Sequence, residues 1–277
     1  MPGTLYLVAT PIGNLADISI RAIETLKAVD VIACEDTRHS RKLLDHYGIS
    51  GKLVSYHEHN EKARADELIA MASEGQDIAV ISDAGTPAIN DPGYGVVQAA
   101  IAAGVNIISV PGPVAFVNAV LVSGLPTDSI FFGGFLPSRT GERQRRLGEL
   151  RDVSATLVFY ESPHRVSNSL ADCRKVLGPR RAAVVRELTK MHEEVLRGTL
   201  DELAAHYSGA SAKGEFVLVI ERPGAAAVST GPQLSLAERV DELERTGIDN
   251  KAALKAAAKE FGLSRSEAYR QLQMLRK

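Results

Sequence analysis

Four short stretches hold the residues best suited to gripping a small molecule. They are Thr10-Pro11-Ile12-Gly13-Asn14, Glu35-Asp36-Thr37-Arg38, Ser82–Gly93 and Pro111-Gly112-Pro113, and each follows a short apolar run. The longest reads SDAGTPAINDPG, with two glycines, two prolines, two aspartates and an asparagine. Residues of this kind fix a turn and leave backbone N–H and C=O groups free to point at a ligand. Glycine permits close approach of the backbone, and proline holds the shape. A plain strand-to-helix connection needs only about two to six residues, so this loop is long for that task. The chemistry implied is recognition, largely by backbone, of a molecule with many polar atoms and little net charge. A phosphate would call instead for a glycine-rich helix N-terminus or a lysine.

Several other chemistries are excluded. No G-x-G-x-x-G follows a strand, because Gly93-Tyr94-Gly95 lacks the third glycine, and no Walker A sequence is present. His57-Glu58-His59 and His192-Glu193-Glu194 do not have the H-E-x-x-H spacing, and Cys34 and Cys173 match no metal or redox pattern. No metal site is expected. The net charge of −2 gives no whole-molecule attraction for nucleic acid, and 5% aromatic residues without tryptophan argue against a base-stacking surface. No run approaches the ~18 apolar residues of a membrane span, and the N-terminus has no signal-peptide pattern. A cytoplasmic location follows as an expectation.

The elements that must position these loops alternate. Strands are expected at 4–9, 29–34, 53–56, 77–81 and 106–110, with helices at 19–28, 38–47, 60–73, 95–103 and 114–122. Alternation of this kind predicts a mostly parallel sheet covered on both faces, with the four loops gathered at the carboxyl ends of its strands. Leu125-Pro126 and Gly133-Gly134 to Pro137 punctuate the chain. Beyond them, strands at 156–160, 182–186, 194–197 and 215–221 accompany helices at 166–177 and 199–207. Neighbouring strands without a helix between them predict antiparallel pairing and a mixed sheet. Pro223–Pro232 reads as a linker. The tail that follows is helical in pattern, with capping boxes Ser235/Glu238 and Ser264/Glu267, a turn at Phe261-Gly262-Leu263, and a helix-turn-helix outline. Residues 226–277 carry nine Lys and Arg against seven Asp and Glu. Expected boundaries are therefore 1–125 for an N-terminal α/β domain, 126–222 for a second α+β domain, and 233–277 for the helical tail.

The loops TPIGN, EDTR, SDAGTPAINDPG and VPGPVA resemble the strand-end loops of the tetrapyrrole methylase superfamily of S-adenosylmethionine enzymes. LYLVATPIGNLADI, SYHEHNE, FFGGFLPSR, FYESPHR, RELTKMHEE and KGEFVLV occur in order from about Leu5 to Val219. Together they resemble the branch of that superfamily that acts on small-subunit ribosomal RNA. Asn90 and Ser138-Arg139 are small departures from that pattern, and neither changes the chemistry available.

The resemblance implies a two-domain tetrapyrrole-methylase-like α/β fold with the methyl donor S-adenosylmethionine in the cleft, and a homodimer. It implies methylation of the ribose 2′-hydroxyl of a cytidine in the decoding region of 16S ribosomal RNA, within the assembled small subunit. A tetrapyrrole or other small molecule is the alternative acceptor on the same fold, and a nucleic-acid-binding regulator acting through the tail is a third reading. Carried onto this chain, the donor-binding residues are Pro11, Ile12 and Gly13; Asp83, Ala84, Gly85 and Pro87; Val114 and Ala115; and, from the second domain, Tyr160, Glu161 and the 186–188 segment. A ribose hydroxyl is a poor nucleophile at neutral pH. Glu161 or His57 is expected to orient it or take its proton, with Lys190 or Arg186 stabilising the developing oxyanion. Arg139, Arg143, Arg145 and Arg146, with Arg151, form the densest basic stretch and are the expected RNA contacts.

Overall fold

The computed structural model describes residues 2–209, 212–224, 236–245, 249–260, 263, 267, 268 and 270. They fall into two compact units, Met1–Pro223 and Gly224–Lys277.

The first unit contains two five-stranded sheets. The first sheet is built from β1 (Thr4–Val8), β2 (Val31–Cys34), β3 (Lys52–Ser55), β4 (Ile78–Ile81) and β5 (Asn106–Val110). All its pairings are parallel, in the order β3-β2-β4-β1-β5. β2 and β4 are buried along their whole length, as strands covered on both faces require. The covering helices are α1 (Ile20–Ala28), α2 (Thr37–His46), α3 (Glu61–Ser73) and α4 (Tyr94–Ala103). Local caps set where they begin. Ser19 accepts from the Ala22 amide at the start of α1, and Asp36 accepts from the Arg38 and His39 amides at the start of α2. The chain runs outward from β1 in one direction through β2 and β3, then returns through β4 and crosses to β5. That reversal puts the β1 and β4 loops side by side, where open α/β sheets bind ligands.

α5 (Ala115–Ser123) completes the alternating half, but its buried face does not lie on the first sheet. Ala119, Val120 and Leu125 pack with Val158, Ala183, Val185, Val217 and Val219. Those residues belong to the second sheet, made of β6 (Ile130–Phe135), β7 (Thr156–Glu161), β8 (Arg181–Arg186), β9 (Glu194–Thr199) and β10 (Phe216–Ile220). Its order is β6-β7-β10-β8-β9. Only β6 and β7 are parallel; the other pairs are antiparallel. The mixed sheet is as expected, and β6 is an addition to it. Gly133 and Gly134 read in the sequence as punctuation, but they lie inside β6 at an irregularity in its pairing. The far face is covered by α6 (Thr140–Glu149), α7 (Val166–Leu177) and α8 (Leu200–Tyr207). α8 opens on the expected capping box between Thr199 and Glu202.

The second unit holds α9 (Leu236–Arg245) and α10 (Asn250–Glu260). Leu236 and Val240 pack with Ala253, Leu254, Ala257, Ala258 and Ala268. Most of the expected linker, the capping residues Ser235 and Ser264, and Phe261 and Gly262 of the expected turn lie outside the described residues. Among the described residues, no helix is long and apolar enough to cross a membrane.

Candidate active site

The strand-end loops are fastened to one another. Thr10 and Gly85 exchange two backbone hydrogen bonds of 2.8 and 3.1 Å, joining the β1 and β4 loops. The Thr10 hydroxyl also donates to the Ser82 carbonyl at 3.1 Å. Asp83 accepts from the Asp36 amide at 3.2 Å and so ties in the β2 loop. Gly112 packs so closely on Ala9 that an added Cβ would lie 2.8 Å from the Ala9 Cβ. Glycine is required at that approach on steric grounds alone.

A cavity of about 350 Å³ opens between this edge and the second sheet, within the size range of small-molecule sites. The first half contributes Ile12, Ala84, Gly85, Thr86, Ile89, Asn90, Asp91, Val114 and Ala115 to its wall. The second contributes residues around Phe135, Tyr160, Val185, Leu188, Glu215 and Val217. The wall is mostly apolar and carries carboxylates, but no lysine or arginine among the described residues.

Of the expected donor-binding residues, Ile12, Ala84, Gly85, Val114, Ala115, Tyr160 and Glu161 line the cavity. Pro11, Gly13, Asp83 and Pro87 do not. Pro11 and Pro87 are buried behind the wall, and Asp83 holds the Asp36 amide. Gly13 abuts the 187–190 segment instead, where an added Cβ would lie 2.5 Å from the Lys190 Cγ. That segment is strained, with Glu187 at φ 50° and the β-branched Thr189 at φ 66°.

The four residues expected to carry the chemistry stand apart from one another. Glu161 contributes to the wall, but its side chain is fully buried and satisfied on the far side of the sheet. It accepts from the Ser162 amide at 2.8 Å and from the Ser169 hydroxyl, and it pairs with Arg165 at 3.3 Å. Alternation along β7 explains this. Tyr160 packs with the α5 side of the sheet, so the next residue must face α7. Arg186 is displaced for the same reason. Val185 lines the cavity, whereas Arg186 pairs with Glu194 at 3.2 Å and faces a separate hollow. Lys190 bridges Glu187 and Glu215 at 3.0 Å each. Burial pulls its pKa down, but the two carboxylates more than offset this and hold it above the ordinary lysine value. It stays a cation, already neutralised by its partners. His57 is fixed by Asn60, whose Oδ1 accepts from the His57 amide at 2.8 Å, and it is absent from the cavity wall.

The sequence did not single out Asp91, which reads there as part of the turn that launches α4. In the structure it lines the cavity. Burial, reinforced by Glu35 and Asp83 and only partly relieved by Ser82, pushes its carboxyl up to about 6. Burial and Asp83 raise Glu35 as well. Three acids from two strand ends, Glu35 after β2 and Asp83 and Asp91 after β4, thus repel one another.

The expected RNA contacts need one correction. Arg143 is only 2% exposed. Its guanidinium donates to Asp172 at 2.7 Å and to the carbonyls of Pro137 and Ser138, locking α6 onto α7. Arg139 and Arg146 are paired with Glu142 and Glu149 at 3.3 and 2.9 Å. Arg146 also lies over the Phe131 ring, 5.7 Å from its centroid. Arg145 is exposed and makes no ion pair among the described residues. A second basic surface lies on α2. There Arg38, Arg41 and Lys42 are exposed, and among the described residues only Arg38 of the three forms an ion pair, with Asp36 at 3.7 Å.

Comparison with known proteins gives these loops their context. A family model described as Tetrapyrrole (Corrin/Porphyrin) Methylases matches residues 4–204. The chain belongs to the tetrapyrrole methylase family. It is 47% identical over 270 residues to ribosomal RNA small subunit methyltransferase I of Halalkalibacterium halodurans, covering 96% of this chain and 93% of that one. It is 47% identical over 276 residues to the protein of the same name from Mesorhizobium japonicum, covering 97% and 90%. Among solved structures, uroporphyrin-III-C-methyltransferase from Thermus thermophilus superposes with a TM-score of 0.57 at 22% identity, over 79% of this chain and 94% of that one. That likeness speaks to the fold.

The methyl donor of the family is S-adenosylmethionine, and the cavity suits it. An apolar wall accepts the flat and aliphatic parts of the donor. A lining with carboxylates and no lysine or arginine favours a positively charged sulfonium.

Proposed function

We propose that this chain transfers a methyl group from S-adenosylmethionine to the ribose 2′-hydroxyl of a cytidine in the decoding region of 16S ribosomal RNA, presented by the assembled small subunit. The observation that carries this reading is the separation of charge. The cavity wall is acidic and apolar, while exposed cations sit outside it on α2 and at Arg145 of α6. A cationic donor is accommodated inside and a polyanionic acceptor is met outside. The names of the relatives, which specify small-subunit ribosomal RNA, support the same acceptor.

When bound, the donor supplies a methyl group already activated by its sulfonium. The chain must hold the acceptor oxygen in line with it, exclude water and help remove the hydroxyl proton. Alignment of this kind can supply roughly 7–11 kcal/mol. Fastened loops suit that task, because the wall residue Gly85 is tied to Thr10 by two backbone bonds and Gly112 packs closely on Ala9. With a formal net charge of −2, the chain would rely on a preassembled subunit to present the nucleotide, and extruding it from a stem costs roughly a few kcal/mol.

A cytoplasmic homodimer belongs to the same proposal. Tyr94, Ile101, Ile108, Val117 and Leu121 expose apolar surface on α4, β5 and α5, and β5 is an edge strand. Mass spectrometry of ribosomal RNA nucleosides, with and without the gene, tests the function. Loss of one 2′-O-methylcytidine is expected, and an unchanged nucleoside profile would refute it. A comparison of naked 16S RNA with assembled subunits tests the presentation step, which equal methylation of the two would contradict.

A further inference from the structure

We infer that Asp91 is the general base of methyl transfer, the group that accepts the proton of the acceptor hydroxyl. This rests on the methyl-transfer reading above. Of the acids in the cavity wall, Asp91 alone is in no ion pair among the described residues, and the Ser82 hydroxyl is the one side-chain donor that meets it. Glu161 is committed to Ser162, Ser169 and Arg165 on the other face of β7. Glu215 is paired with Lys190 at 3.0 Å. Glu35 and Asp83 stand behind Asp91 and are not part of the wall.

The loop holds Asp91 rigidly. Ala88 and Asn90 both adopt left-handed backbone, φ 69° and 64°. The Ala88 amide closes the turn on the Pro92 carbonyl at 3.2 Å. Asn90 rests against Gly134 of β6, where an added Cβ would fall 2.5 Å from its Nδ2. Non-glycine residues in this conformation cost energy, and they persist where the surroundings fix them and function uses them.

The groups facing Asp91 are Glu35 from the end of β2, Ser82 and Asp83 from the end of β4, and Tyr160 across the cleft on β7. No cation stands among them to hold the carboxyl ionised at low pH. Its pKa of about 6 suits a base at neutral pH, because it is largely ionised yet more basic than an ordinary carboxylate. In the step itself, the ribose O–H bond breaks and its proton passes to the Asp91 carboxylate. The oxygen lone pair forms the new O–CH3 bond as the S–CH3 bond breaks, and that electron pair stays on sulfur. A carboxylate and a sulfonium become a carboxylic acid and a thioether.

The test compares wild type with Asp91→Asn, which mimics the protonated acid, by three measurements. These are single-turnover methyl transfer to the small subunit between pH 5 and 9, S-adenosylmethionine affinity by calorimetry, and thermal unfolding at pH 5 and 8. At saturating donor, transfer should fall at least about a hundredfold in the variant, beyond any weakening of donor binding that loss of this wall carboxylate brings. The wild-type rate should rise with pH through an inflection near 6 that the variant lacks. The raised carboxyl also costs the folded chain stability progressively as pH rises from the ordinary aspartate value toward about 6, and the loss is complete above it. The variant should therefore unfold at a higher temperature than wild type at pH 8, by a margin that narrows at pH 5. Retention of more than a third of the rate, an unchanged inflection, or a loss explained wholly by weaker donor binding would each overturn the assignment. Wild type that binds the donor but methylates no ribose overturns the functional reading itself, a result distinct from all three.

Discussion

Glu161 and Asp91 are both acids at the wall of one cavity, and their surroundings give them opposite characters. Glu161 ends a regular strand, turns to the helix side, and is met by an amide, a hydroxyl and a guanidinium. Asp91 sits in an irregular loop, turns toward the cleft, and is met by two further acids and only one hydroxyl. The first arrangement stabilises a charge and spends its hydrogen-bonding capacity. The second leaves a charge with no counter-ion among the described residues and keeps it available. Residue type and proximity to a ligand do not separate a structural acid from a reactive one; the count of partners does.

Removing the satisfied acid should have the largest effect on folding. Glu161→Ala strands the Ser162 amide, the Ser169 hydroxyl and Arg165, and should cost about 3–5 kcal/mol in urea unfolding. A variant that stays within 1 kcal/mol of wild type but loses the inflection near pH 6, on the order of one unit of the scale, would reverse the comparison. Arg143→Ala should follow at about 2–3 kcal/mol, because Asp172 is left buried without its counter-ion and keeps only the Gln144 amide. Changing α2 should leave stability alone. Arg41→Glu with Lys42→Glu should weaken subunit binding about tenfold in low salt and flatten its salt dependence, with donor affinity unchanged. The smallest and most diagnostic effect belongs to Glu35→Gln. Deleting one of the acids that raises Asp91 should move the inflection of the pH–rate profile down by about half a unit, at nearly constant maximal rate.

The parallel sheet was legible because apolar runs alternate with amphipathic ones, and the loops because their glycines and prolines sit just after those runs. β6 was hidden by Gly133-Gly134, which punctuate the sequence but fit a strand irregularity in the fold. The orientation of Glu161 was within reach of the sequence, since period-two alternation opposes it to Tyr160. Arg143 was not, because its partner Asp172 comes from another helix. Asp91 was least legible. Its character comes from burial and from Glu35, which the fold brings to it from the end of β2, with Asp83 of its own loop adding to both.

The packing of α5 bears on the order in which the chain can be built. Its apolar residues Ala119 and Val120 emerge with the first half, yet their cover includes Val217 and Val219 of β10. β10 is the last strand made, and it lies between β7 and β8 at the centre of its sheet. A ribosome releasing this protein would expose α5 and the facing edges of β7 and β8 until β10 arrives, the kind of intermediate that chaperones shield. The second sheet then forms by insertion of its final strand, and the cavity gains its far wall only at that moment.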